Sequence, residues 1–131
     1  MPTKLKIKRK HKLYNSIADD DCFRVAISNI LNIHPRNIPN FVKLYKINFA
    51  QEARKWLNKR NKTITFIPFQ CFLEADEEKH NNPFFPQGIC IAVISRKNST
   101  NHHAVFVDNG NMNDWCDNID EILGYYIIHN L

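Results

Sequence analysis

Hydrophobic positions in the first half of the chain fall at helical spacing. Phe23, Ala26, Ile27, Ile30 and Leu31 recur every three or four residues, which predicts a helix with one apolar face against a core. Asp19, Asp20 and Asp21 stand just before it. Aspartate is favoured at a helix start because its carboxylate satisfies free amide donors and complements the dipole, so the helix begins close to Cys22. It stops before His34-Pro35, since the residue ahead of a proline is pushed out of helical dihedrals. Ile38-Pro39-Asn40-Phe41 makes a tight apolar corner. Helical spacing returns from Asn48 to Asn61, with Asn48 as cap, Phe49, Ala53, Trp56 and Leu57 on one face, and Arg54, Lys55, Lys59 and Arg60 away from it.

From residue 62 the period shortens to that of strands. Lys62 to Phe69 alternates, is rich in β-branched residues and is ended by Pro68. Between Gln70 and Gly88, a short helical piece over Phe72 to Lys79 precedes the loop Asn81 to Pro86, where Phe84 and Phe85 either line a groove or form satellite core. Ile89 to Ser95 is a continuous apolar run of strand length, which predicts a central strand. The polar loop Arg96 to Asn101 leads into His103 to Asp108, and Asn109-Gly110 is a strong hairpin signal. With those two as the turn, Asp108 faces Asn111 and Val105 faces Asp114, and His103, Val105, Val107, Met112 and Asp114 share one face. Diagonal neighbours on a sheet face lie about 7–8 Å apart, close enough for His103 and Asp114 to hydrogen-bond. Asn118 to Leu123 reads as a turn or short helix, and Gly124 to Ile128 as a last strand closing the sheet.

These elements make a single α+β domain over residues 1–131, a length sufficient for one core. Its helix at Cys22 packs on an antiparallel sheet of strands near 62–69, 89–95, 103–108, 111–115 and 124–129. A 44% hydrophobic and 24% charged composition is that of an ordinary globular protein and gives no indication of disorder.

Charge changes the picture only at the start of the chain. Of eighteen Lys and Arg, six lie within Met1 to Lys12, where there is no acid, and the other twelve face thirteen acids. The +5 charge is thus the property of one arm, residues 1–13, in which Leu5 and Ile7 alternate with lysines as in a half-exposed edge strand. Such an arm either guards a sheet edge or contacts nucleic acid, and it lacks the aromatics that stack on bases. No apolar signal segment or bilayer-length run is present, which predicts a cytoplasmic protein without a membrane partner. Cys22, Cys71, Cys90 and Cys116 are scattered without a CxxC pair, so disulfides, a metal site or another cofactor are not expected.

Candidate chemistry centres on Cys22. A thiol in a first helical turn sees the positive end of the dipole and unpaired amides, which lower its pKa and offer donors to an oxyanion. The neighbouring aspartates oppose that shift, and a buried, inert cysteine is the plainer interpretation of the segment alone. His103 opening a later strand and Asp114 on the next add a base and an orienting group from separate elements.

Asp21-Cys22-Phe23-Arg24 before an apolar helix, the Ile38-Pro39-Asn40-Phe41 corner, the Trp56-Leu57 helix, and His103-Ala104-Val105 with its hairpin and Asp114 together resemble the small phage and bacterial papain-like cysteine peptidases. The resemblance runs from about residue 14 onward and keeps the order Cys, His, Asp. It implies a papain-like fold and a hydrolase acting on a protein or peptide substrate, with Cys22 as nucleophile, His103 as general base and acid, and Asp114 orienting the imidazole. The family's second oxyanion donor is a glutamine before the cysteine. None lies between Met1 and Cys22, so the resemblance assigns that place to Asn15 or Ser16. Two further classes compete with the enzyme: a papain-like scaffold that binds a partner or nucleic acid through its basic arm, and a structural protein in which Cys22 and His103 merely pack.

Overall fold

The computed structural model describes residues 13–69, 88–97, 102–109, 111–112 and 119–131. The arm at residues 1–12, the helical piece and phenylalanine loop within 70–87, most of the loop after Lys97, Asp114, Cys71 and Cys116 lie outside the described residues.

The chain runs through helix α1 (Cys22–Leu31), helix α2 (Phe41–Tyr45), helix α3 (Phe49–Asn58) and strands β1 (Lys62–Pro68), β2 (Ile89–Arg96), β3 (His103–Asp108), β4 (Asn111–Met112) and β5 (Ile119–Asn130). This is an α+β architecture. Among the described residues the strands form one sheet in the order β1-β5-β2-β3-β4, with every pair antiparallel. The apolar run at Ile89 occupies the central strand, as its composition requires. Both faces of β2 are buried, so alternation is lost from its sequence.

Helix α1 begins at Cys22 and ends on Asn32, which takes a left-handed conformation (φ 58°) and donates its amide to the Ser28 carbonyl. His34 then caps a 3-10 turn, Pro35–Asn37. The corner that follows buries Ile38 and Phe41, and the Asn40 side chain accepts from the Lys43 amide at 3.4 Å to start α2. Helix α3 buries Ala53 and Leu57 and half-buries Phe49 and Trp56, the face expected from its spacing.

Helices α1 and α3 cover one sheet face. Phe23, Ile27 and Ile30 of α1 and Leu57 of α3 pack with Ile64, Ile91, Phe106 and Ile128. The alternate strand residues, Cys90, Ala92, Val105, Val107, Tyr125 and Ile127, form a second buried cluster on the other face.

Three features depart from the sequence expectation. Residues 41–48 hold α2 and a 3-10 turn, Lys46–Asn48, that five- and three-residue spacings do not reveal. Residues 119–123 are not a turn or helix but the start of β5, where Asp120 and Glu121 are exposed and give the segment its polar character. β5 therefore does not close the sheet at an edge; it runs inside it, between β1 and β2. No helix among the described residues is long and apolar enough to cross a membrane.

Candidate active site

Cys22 is the first residue of α1, where backbone amides have no partner within the helix. The residue before it, Asp21, keeps its carbonyl in the helix, accepting from the Val25 amide at 2.9 Å, but its side chain does not cap. The carboxylate instead turns back to the preceding connector. It accepts from the Ser16 hydroxyl, from the Ile17 amide at 2.9 Å, from the Ala18 amide at 3.1 Å and from the Arg24 guanidinium at 3.2 Å. Burial pushes the Asp21 carboxyl up, but the Ser16, Ile17, Arg24 and Ala18 bonds outweigh it and hold the group below its ordinary value. Its charge is thus compensated by its own partners rather than set against the neighbouring thiol.

The Cys22 sulfur meets two donors, both from β3. It accepts from the Ala104 amide of β3 at 3.5 Å and from the imidazole of His103, the residue that opens β3, and the dipole of the adjacent Phe23 amide in α1 also favours its thiolate. Burial alone raises the thiol pKa. The hydrogen bond from His103, the two amides and the imidazole charge more than reverse this, so the thiol lies below its ordinary value. β3 reaches this position because it packs along α1 and pairs with β2, His103 opposite Ile94.

The connector in front of α1 is fastened by buried polar side chains. Asn29, on α1 and only 3% exposed, accepts from the Tyr14 amide at 2.7 Å and donates to the Tyr14 carbonyl at 3.2 Å, pairing with the connector as a strand neighbour would. Asn40 donates to the Asp19 carbonyl at 3.4 Å. Between connector and β3 lies a cavity of about 520 Å³ lined by Asn15, Ser16, Cys22 and His103. On the other side of Cys22 lies a second cavity of about 680 Å³, bounded by residues of α2, α3, β1 and β5. Cys22, His102, His103 and Ala104 line both, which puts the thiol at their junction.

The residues singled out in the sequence are partly reunited. Cys22 and His103 are in contact, and Asn15 and Ser16 border the cavity beside them. The Ser16 hydroxyl faces the Asp21 carboxylate and the Ala18 carbonyl, which makes Ser16 a strut of the connector, while Asn15 lines the cavity. The hairpin pairs Asp108 with Asn111 and Val107 with Met112, the expected register, while Asp114 itself is outside the described residues. Among the described residues, no three His, Cys, Asp or Glu side chains are grouped to hold a metal ion.

Sequence reasoning missed Asn29, Asn40 and the Asp21–Arg24 pair. Asn29 lies off the apolar stripe of α1, and its partner Tyr14 is fifteen residues away, so the helical spacing carried no signal for it. Compared with protein-family models, curated proteins and solved structures, the chain matches none.

Proposed function

We propose that the protein is a papain-like cysteine hydrolase that cleaves a peptide, isopeptide or related amide bond. The observation that carries this is the set of donors on Cys22, a helix-terminal thiol bonded by His103 and by the Ala104 amide. In this mechanism the Cys22 thiolate attacks the acyl carbon and the Cys22 amide steadies the oxyanion, with Asn15 as second donor. His103 delivers its proton to the leaving amine. It then takes a proton from water, which attacks the thioester and frees the acid. Asp114 orients the imidazole, by the resemblance to papain-like peptidases.

The test is the pH dependence of Cys22 alkylation by iodoacetamide, each cysteine resolved by peptide mass spectrometry. Wild-type Cys22 is expected to react well below pH 8.5, and His103→Ala to move its titration up toward about 8.5, the free-thiol value. Asp114→Asn is expected to shift it partway. Slow labelling of Cys22 that is identical in wild type and His103→Ala overturns the hydrolase assignment.

A further inference from the structure

The larger cavity beside Cys22 is walled with rings. Phe23, next to the nucleophile in sequence, stands edge-on to Phe49 at 5.2 Å and 74° and lies tilted against Tyr126 at 5.3 Å. Tyr126 continues to Phe66 on β1 at 4.9 Å and 56°. Rings in edge-to-face contact attract through their quadrupoles; Phe23 is buried beneath the others, and Phe49, Tyr126 and Phe66 keep accessible surface for a planar guest. Phe66, at the outer end of this series, is 39% exposed and lines the cavity.

Two details of β5 maintain that wall. A side chain on Gly124 would place its Cβ 2.4 Å from Phe66 Cζ, so only glycine lets the Phe66 ring lie across the strand. A register shift follows: Val93 pairs with Gly124 but Ile94 pairs with Ile122, which leaves Leu123 out of the ladder and in the cavity lining.

Charge in this cavity is asymmetric. Lys43 and Lys46 line it and not the smaller cavity, whereas Asp20 lies at the end shared with Cys22. Lys46 holds φ 52° and ψ −82°, outside the ordinary basins of a residue with a side chain. The side chains of Lys43 and Lys46 are both exposed at the cavity, where they can meet an anionic group. A volume of about 680 Å³ lies in the range of pockets that enclose a compact ligand.

We infer that this cavity recognises an aromatic side chain with a carboxylate beside it, so that the substrates are peptides with an acidic aromatic segment next to the attacked bond. The inference rests on Cys22 as the nucleophile. The rings receive the aromatic group, and the two lysines receive the carboxylate, from an acidic neighbour or a chain terminus.

Three small alkylating probes separate the two halves of this recognition: N-chloroacetyl-phenylalanine, its carboxamide, and N-chloroacetyl-alanine. Each is reacted with the full chain, and the rate at Cys22 is read by peptide mass spectrometry as a ratio to iodoacetamide. The phenylalanine acid is expected to exceed the alanine acid by about tenfold, as burying one ring requires. It is expected to exceed its carboxamide by about threefold, the scale of a partly exposed charge pair. Phe66→Ala should collapse the first ratio and Lys46→Met the second. Equal rates for the three probes, or ratios unmoved by both substitutions, overturn the recognition. The ratios are read whether or not the thiol is activated, so preserved ratios with unactivated Cys22 would retain the recognition and remove the hydrolase assignment.

Discussion

Asp21 shows how one residue can precede a reactive thiol without opposing it. Four hydrogen bonds, one from the Arg24 guanidinium, consume its acceptor capacity in the connector. Asp21→Asn keeps the shape and removes the charge, leaving the Arg24 guanidinium, whose side chain is 12% exposed, without its counter-ion. The expected loss is about 2–3 kcal/mol, between the values for exposed and buried pairs. The folded carboxyl titrates below its unfolded value, so its contribution is present above about pH 4 and is lost as pH falls through the folded pKa. Urea unfolding of wild type and Asp21→Asn should therefore differ at pH 7 and converge in stronger acid; a gap that widens on acidification would contradict the arrangement. At this scale Cys22 and His103 were legible, because a helix start and a strand start announce themselves in patterning. The tasks of Asn29 and Ser16 were not, since their partners, Tyr14 and Asp21, are chosen by tertiary approach.

Among elements, β5 is the most constrained by a single position. Gly124→Ala would bring a methyl to 2.4 Å from Phe66 Cζ and 2.6 Å from the Ile67 carbonyl oxygen. Overpacking of this kind costs about 1–3 kcal/mol, and thermal unfolding followed by circular dichroism should show a lowered Tm. An unchanged Tm would contradict the close approach of β5 to both the Phe66 ring and the Ile67 carbonyl. Most elements were legible where one period persisted: the stripe of α1, the run of β2, the alternation of β1 and the pairing of β3 with β4. α2 was not, because five residues hold barely one turn. The first residues of β5 were not, because exposed Asp120 and Glu121 imitate a loop, and strand pairing with β2 prevails over their low β propensity.

For the molecule as a whole, stability is expected to be unevenly distributed. β2 lies at the centre of the sheet and β5 beside it, each paired on both sides, whereas Leu44, Tyr45 and Ile47 around α2 are exposed. Amide hydrogen exchange should be slowest in β2 and the middle of β5 and fastest over residues 41–48, and comparable protection in both regions would refute that gradient. The same strand order governs how the chain finds its fold. β1 is paired with nothing but β5 among the described residues, Lys62 opposite Asn130, although β2, β3 and β4 intervene in sequence. Until β5 docks, β1 and the flank of β2 both present open ladder groups, and the loop that must close is nearly half the chain. The strand order therefore makes the docking of β5 a long-range step on which completion of the sheet depends. That predisposes the protein to slow folding and makes the nascent, unfinished sheet its most aggregation-prone form.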